Sequence, residues 1–189
     1  MEVLVAMLLA GGCLSLGVHL ARRRGRGGTQ VQAVAVVAEP SEPSLAALKP
    51  EDVLVLDGRD LIVKGVAVLR DGTRHWCEVR ADDGSGESWV VVHAEDQDGA
   101  LVGRLVAGLV AAGEPPEMLE HEGAVYRLQR SGHAEVEVAG AVGFSAGEGA
   151  YWEYARVGAS RIWIRRFGRY YRCFAGERVA RHLFEILPA

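Results

Sequence analysis

Aspartate-glycine pairs separate short β-prone segments through the middle of this sequence. Three of them follow segments rich in β-prone residues: Asp57-Gly58, Asp71-Gly72 and Asp83-Gly84. Asp-Gly is typical of the two-residue hairpin turn, because both central residues of that turn take positive φ. The pattern predicts an antiparallel meander with strands at residues 53–56, 61–69, 74–80 and 88–93.

A second series of β-prone segments follows Pro115-Pro116. Its turn signals include Glu122-Gly123, Ser131-Gly132 and Gly168, and a glycine-rich loop is expected at residues 140–149. The predicted strands lie at residues 118–121, 125–129, 133–138, 151–157, 160–167 and 170–174. Residues 179–187 end the series, with a short helical turn expected among them.

Residues 101–110 fit two kinds of element. Their apolar side chains recur at near-helical spacing, which favours an amphipathic helix. Gly103 and Gly108 interrupt the segment, however, and its neighbours on both sides are β-prone. We predict a strand here and keep a helix as the alternative.

The two series share a pattern of aromatic residues around two glutamates. An aromatic residue stands two positions before Glu78 and two before Glu153, and a tryptophan, Trp89 or Trp163, follows about one hairpin later. This pattern predicts an all-β antiparallel fold, of sandwich or barrel type, built from two related halves. The halves are expected at about residues 48–112 and 117–189.

Strand alternation places Trp76 and Glu78 on one face of their strand and Cys77 and Val79 on the other. Matched aromatics most simply form cross-strand packing pairs, which stabilise a sheet by about 0.2–1 kcal/mol each. The functional alternative is an aromatic pocket shared between the halves. The candidate interaction residues are Trp76, Glu78, Trp89, Trp152, Glu153, Tyr154 and Trp163.

The N-terminal segment predicts one transmembrane helix. Residues 3–20 are apolar and would span roughly 27 Å as a helix, close to the hydrocarbon thickness of a bilayer. Four topology determinants follow at once: Arg22, Arg23, Arg24 and Arg26. The positive-inside rule then places the N-terminus outside and the remainder in the cytoplasm. The predicted organisation is an anchor at 1–21, a basic and proline-rich linker at 22–47 and a β domain at 48–189.

A retained anchor has two alternatives. A secretory signal peptide would carry basic residues before its apolar run, and here the order is reversed. Cys13 follows small residues that faintly resemble a lipoprotein cleavage site, in which case the protein would be exported and attached through that cysteine. The retained single span is favoured, with a location in the cell membrane.

Charge and cysteine content limit the function classes. The formal net charge of -4 provides no global basic character, so nucleic acid is not expected as a partner. Residues 161–172 alternate arginines with aromatics, which suits contact with anionic lipid or, more simply, a solvated strand face. The cysteines include no CxxC pair and predict no disulfide framework.

No catalytic, cofactor or metal motif stands out. His75 and His93 could meet Glu78 in three dimensions, but no histidine has a metal-ligand spacing. Residues 143–147 formally match the GxSxG nucleophile motif, although the strand-to-helix turn that this motif needs is missing. We therefore predict no cofactor, no metal and no catalytic residue.

Short motifs occur in a specific order beyond residue 47. They lie at residues 48–53, 57–60, 63, 65, 76–79, 89, 122–128, 131–134, 152–154 and 184–188. In order and spacing this set resembles the bacterial family catalogued as domain of unknown function 4178, in its membrane-anchored, actinobacterial type. The resemblance implies no assigned activity and supplies no catalytic residues.

Together these features predict a single-span membrane protein whose cytoplasmic β domain is a non-catalytic binding or assembly module. Its partner would be a membrane or cytoplasmic protein or a small ligand, with contact to anionic lipid as a further expectation. The alternative function is an enzyme with a pocket between the halves, around Trp76, Glu78, Trp152 and Glu153.

Overall fold

The computed structural model describes residues 44–95, 98–110 and 113–189. Within these ranges no helix has both the length and the apolar character needed to cross a bilayer. The predicted span at residues 3–20 and most of the predicted linker lie outside the described residues.

The described chain is almost entirely β-structure. Eleven strands follow in order: β1 (Val53–Leu56), β2 (Arg59–Asp71), β3 (Arg74–Asp82), β4 (Glu87–His93), β5 (Gly99–Val106), β6 (Met118–His121), β7 (Ala124–Gly140), β8 (Gly147–Ala155), β9 (Ser160–Phe167), β10 (Tyr170–Ala180) and β11 (Phe184–Leu187). Two short 3₁₀ turns, Leu45–Ala47 and Arg181–Leu183, precede β1 and β11. The second of these is the helical turn expected near the end of the chain.

Eight of the strands close into an antiparallel barrel. The order around the ring is β2-β3-β4-β5-β10-β9-β8-β7, and β7 pairs back with β2. Pairs such as Ala67 with Val138 form this closure, while Gly103 with Gly176 joins β5 to β10. The predicted all-β antiparallel class is confirmed, and of its two variants the barrel is the correct one.

Two long strands make closure geometrically simple. β2 has 13 residues and pairs with β1 along its first part and with β7 along its second. β7 has 17 residues and pairs with β6 before it joins β2. Register shifts interrupt their ladders at Lys64 and Gln129, and such bulges bend a strand and increase its twist.

The predicted turn at Ser131-Gly132 is wrong, because these residues lie inside the continuous strand β7. Gly132 is required there by a close approach: a Cβ would lie 2.9 Å from Asp71 Oδ2 and 3.0 Å from the Tyr151 ring. A glycine in a strand can therefore indicate packing against a neighbour as well as a turn.

The ambiguous segment at residues 101–110 is a strand as far as Val106, in β5. Gly103 accounts for the interruption of its apolar pattern. A Cβ at this position would lie 2.4 Å from the Ala175 carbonyl oxygen and 2.7 Å from Trp163 Cη2. The glycine lets β10 approach and leaves room for the indole ring inside the barrel.

Side chains alternate between the barrel interior and two outer clusters. The interior cluster includes Trp76, Trp89, Val136, Trp163 and Phe174. The outer face of β2–β4 packs beneath β1, β11 and the first 3₁₀ turn, in a cluster that includes Leu54, Val79 and Phe184. The outer face of β8–β10 packs with β6 in a third cluster, which includes Leu119, Trp152 and Tyr154.

Candidate functional site

One end of the barrel, here called the polar end, contains a buried ionic cluster. Glu78 on β3, His93 on β4, Glu153 on β8 and Arg165 on β9 contribute its side chains. Strand alternation explains their orientation, since Glu78 follows Trp76 by two residues and Arg165 follows Trp163 by two. Glu78 and Arg165 therefore each share the inward face of their strand with a core tryptophan.

Glu78 and Arg165 are the deepest members of the cluster, with side chains 0% and 1% exposed. Arg165 Nε donates a hydrogen bond to Glu78 Oε1. The same carboxylate oxygen accepts a hydrogen bond from Trp76 Nε1 at 3.1 Å. A buried ion pair needs such additional donors, because desolvation of the two charges costs several kcal/mol per ion, to order of magnitude.

Glu153 connects this buried pair to the barrel mouth. Its Oε1 lies 3.6 Å from Arg165 Nη2 and 3.8 Å from His93 Nε2. Its Oε2 lies 3.6 Å from Arg130 Nη1, and Arg130 also approaches Glu95 at 3.9 Å. The charges thus alternate from the core outward, which limits the cost of burying them.

Aromatic rings surround the Arg165 guanidinium. Its Cζ lies 5.6 Å from the Trp76 ring centroid and 5.7 Å from that of Tyr151. Tyr151 donates a hydrogen bond to Asp71 Oδ2 at 2.6 Å and accepts one from Arg74 Nη1 at 3.0 Å. Burial and the hydrogen bond to Asp71 raise the pKa of Tyr151 to about 12. The phenol therefore stays neutral and acts as a fixed hydrogen-bonding group.

His93 stacks on Trp76, with ring centroids 6.0 Å apart. Burial lowers the pKa of His93, and the nearby Glu153 carboxylate only partly opposes this effect. A lowered pKa favours the neutral imidazole near pH 7, which has one nitrogen able to donate and one able to accept.

A cavity of about 300 Å³ opens beside this cluster at the polar end. Its described lining combines charged or polar side chains with apolar and aromatic ones: His93, Glu95, Leu101, Gln129, Arg130, Glu153, Tyr154, Ala155, Arg161, Ile162, Trp163 and Arg178. The site therefore extends from the buried ion pair to a rim that contains three arginines.

Several buried polar atoms at this end have no hydrogen-bond partner among the described residues. The donors are Trp163 Nε1, Arg165 Nη2 and two nitrogens of Arg74, and the acceptors are Glu78 Oε2 and Glu153 Oε1. Some of them approach a charged neighbour, as Arg165 Nη2 approaches Glu153 at 3.6 Å, but beyond hydrogen-bond length. Buried polar groups in folded proteins are almost always paired with protein, water or ligand.

The opposite end of the barrel, here called the apolar end, is closed by the loop between β7 and β8. Phe144 stacks on Phe167 at 4.1 Å between ring centroids and lies 6.3 Å from Trp89. Arg172 holds the loop by donating to the carbonyl oxygens of Val142 and Gly143. This loop contains the formal GxSxG motif, and its serine is exposed at the barrel end without a following helix.

The structure divides the sequence-predicted candidates between two faces. Trp76, Glu78, Trp89, Glu153 and Trp163 lie inside the barrel. Trp152 and Tyr154 lie in the outer cluster of β8–β10, and the Tyr154 hydroxyl donates to the Pro116 carbonyl oxygen at 2.7 Å. Burial raises the pKa of Tyr154 to about 12. Trp152 therefore does not join Trp76, Glu78 and Glu153 in one pocket.

The two tryptophans of the repeat pattern occupy different register positions. Glu153 lies opposite Trp163 in the β8–β9 ladder, whereas Glu78 lies opposite Val91 in the β3–β4 ladder. Trp89 is two residues from Val91 on the same face.

Sequence reasoning missed Arg165 and Arg130 as members of the site and considered His93 only as a metal ligand near Glu78. Arg165 was grouped with a basic stretch, but its neighbours Ile164 and Arg166 face outward while it faces the interior. Its position directly after the apolar residues Ile162, Trp163 and Ile164, two residues from the tryptophan, was the available signal.

Metal and thiol chemistry find no support in the described part of the chain. Residues 44–95, 98–110 and 113–189 bring together no group of three or more metal-ligating His, Cys, Asp or Glu side chains. His75 is exposed on the outward face of β3, away from His93. Cys77 and Cys173 are free and buried, and burial raises the pKa of both thiols.

Fold and site together define a class: a closed antiparallel β-barrel with one aromatic-capped end and one end open to a polar cavity. The sequence model of the family described as Domain of unknown function (DUF4178) matches residues 49–181, and the chain belongs to this family. Neither a curated protein nor a solved structure matches the chain.

Proposed function

We propose that this protein is a non-catalytic binding module that holds a small polar ligand at the polar end of its barrel. The observation that carries the proposal is the pair of unpartnered buried atoms on residues that line the cavity, Trp163 Nε1 and Glu153 Oε1. Trp163 is 1% exposed and lines the cavity, so its N–H has lost water without gaining a partner. Such a donor costs about 1–3 kcal/mol unless a bound group accepts its hydrogen.

The cavity chemistry favours binding over catalysis. The side chains of its described lining that could act as nucleophiles are His93, Glu95, Glu153 and Tyr154. Glu153 is engaged by Arg130 and Arg165, and His93 is stacked on Trp76. These side chains are held by one another, which suits a preorganised recognition site.

We further propose that residues 3–20 tether the barrel to the cell membrane and that the barrel lies in the cytoplasm. The support is the apolar run followed by Arg22, Arg23, Arg24 and Arg26. Reporter fusions test this: neutral replacement of the four arginines should weaken the preference for a cytoplasmic C-terminus. An unchanged reporter pattern would contradict the role given to these arginines.

Ligand binding is tested with the full-length chain in lipid nanodiscs and a library of anionic, neutral and cationic small molecules. We expect at least one compound to shift the indole N–H resonance of Trp163 in a two-dimensional NMR spectrum. The other three tryptophans of the chain provide internal controls. Failure of every class to shift the Trp163 signal would count against the proposed function.

A further inference from the structure

We infer that the ligand of the polar end is a small oxyanion, with a phosphate or carboxylate group. This inference rests on the proposed function and specifies the ligand's chemistry. Three independent features of the site lead to it: an unpartnered buried donor in the cavity lining, the arginines of that lining and the size of the cavity.

The cavity lining includes an unpartnered buried donor, Trp163 Nε1. The other unpartnered nitrogen atoms of the polar end belong to Arg165 and Arg74, which lie outside that lining. A ligand in the cavity satisfies Trp163 Nε1 only if it places an acceptor there. Phosphate and carboxylate oxygens are acceptors with several lone pairs each and form charge-assisted hydrogen bonds with guanidinium groups.

Arginine provides the cationic groups of the described cavity lining. Arg130, Arg161 and Arg178 line it together with Glu95 and Glu153, and burial favours the neutral form of His93. The buried pair Glu78 and Arg165 adds no net charge behind it. In a partly desolvated cleft, guanidinium groups attract an anion and oppose a cation.

Two rim arginines are held in position by the protein while they keep hydrogen-bonding capacity. Arg161 Nη1 donates to the carbonyl oxygens of Gly158 and Ser160, at 2.7 and 2.8 Å. Arg130 approaches Glu153 at 3.6 Å and Glu95 at 3.9 Å, both beyond the usual hydrogen-bond length. Each guanidinium has five N–H groups, so both can still donate to an oxyanion at the mouth.

Cavity size limits the ligand. A volume of about 300 Å³ corresponds to roughly ten water molecules, at about 30 Å³ each. A phosphate monoester or dicarboxylate of a few carbon atoms fits within this space. The small apolar contribution of Leu101 is consistent with a short carbon skeleton.

The test compares matched pairs of probes on the full-length chain in zwitterionic lipid nanodiscs. Glycerol 3-phosphate is compared with glycerol, succinate with succinamide, and ethanolamine provides a cation. We expect saturable shifts of the Trp163 indole N–H with the two anions and none with the other three probes. A second preparation with anionic phosphatidylglycerol shows whether a lipid headgroup can supply the same oxyanion, because it would then shift the signal without added probe.

The outcomes separate this inference from the proposed function. If glycerol, succinamide or ethanolamine shifts Trp163 and the anions do not, the binding module remains and the oxyanion inference is wrong. If no probe and no lipid shifts Trp163, the oxyanion inference is overturned. The binding module itself fails only if the wider library also leaves the signal unchanged.

Arginine variants test whether the oxyanion binds in this cavity. Arg130→Gln and Arg161→Gln should each weaken binding of the better anion by about tenfold or more, the usual cost of a lost hydrogen bond to a charged group. Arg59→Gln is the matched control, because Arg59 pairs with Asp83 far from the polar end. Equal affinities for all three variants and the natural chain would overturn the assignment of the oxyanion to this cavity.

Discussion

Glu78 and Arg165 form an ion pair across the full width of the barrel. β3 and β9, which contribute them, are four strands apart in either direction around the eight-stranded ring. Glu78 lies in the first meander and Arg165 in the second, so the contact joins the two. A displacement of one meander by a single residue would turn one of these charges outward. The pair therefore specifies how the two meanders meet.

Removal of one partner should destabilise the fold strongly. Glu78→Met leaves the Arg165 guanidinium buried with only Glu153 nearby, at 3.6 Å, and we expect a loss of roughly 3–5 kcal/mol in the free energy of unfolding. The measurement is urea unfolding followed by tryptophan fluorescence, since three tryptophans are buried inside the barrel.

The double variant Glu78→Met/Arg165→Met should be much more stable than the sum of the two single variants predicts, because no unpaired charge remains. Glu137→Met is the matched control. Glu137 pairs with Arg70 on the surface, and exposed pairs contribute about 0–1 kcal/mol. Additive losses in the double variant would contradict the account of Glu78 and Arg165 as one unit.

His93 should make stability depend on pH below its ordinary pKa. Because burial lowers its pKa from 6.5 in the fold, the unfolded chain binds a proton more readily than the folded chain. Stability from this group is complete above pH 6.5 and is lost as pH falls toward the folded-state pKa, by up to about 1.4 kcal/mol per pH unit.

A comparison of variants isolates this effect from the many carboxylates that also titrate in acid. The difference in unfolding free energy between the natural chain and His93→Gln should shrink between pH 7 and pH 5. His75→Gln, at an exposed histidine on β3, is the matched control. A His93→Gln difference that stays constant or grows in acid would show that burial does not lower this pKa.

Gly103 tests the packing of the barrel wall. Gly103→Ala places a Cβ 2.4 Å from the Ala175 carbonyl oxygen and 2.7 Å from Trp163 Cη2. The carbonyl oxygen belongs to the backbone and cannot move away by a change of rotamer. We expect a loss of about 1–3 kcal/mol and a shifted Trp163 fluorescence spectrum. Gly86→Ala is the control, because a Cβ there meets nothing within 4 Å. Similar unfolding midpoints for the two variants would show that β5 and β10 are not tightly packed at this position.

Local features of the fold were predictable because they depend on neighbouring residues. Asp57-Gly58 forms the turn between β1 and β2 with both residues at positive φ, and Trp76 with Glu78 faces away from Cys77, as alternation predicts. Closure of the barrel was not predictable in the same way. It depends on Ala67 meeting Val138, a contact between distant parts of the chain that no local pattern encodes.

The functional site, like the fold, was predictable only in part. Glu78, Glu153 and the tryptophans were identified from the repeat, but their common partner Arg165 looked like one of several surface arginines. The sequence contains the alternation that turns Arg165 inward, between Ile164 and Arg166. It does not contain the ring order that places Arg165 opposite Glu78.

The aromatic cap at the apolar end provides a last test, of the loop that follows β7. Phe144 stacks between Phe167 and Trp89, and Arg172 lies 5.5 Å from its ring centroid. Phe144→Ala should cost about 1.5–3 kcal/mol, the value expected for burial of one aromatic side chain. It should also speed hydrogen exchange of the Trp89 indole N–H, because water gains access to that end of the barrel.

Tyr170→Ala is the matched control, since Tyr170 belongs to the same end of the barrel but is 64% exposed. We expect it to change stability by less than about 0.5 kcal/mol, as most surface substitutions do. Equal losses from the two variants would mean that the loop covers the barrel without packing into it. Anion binding at the polar end should survive Phe144→Ala, because the cap and the cavity share no lining residue.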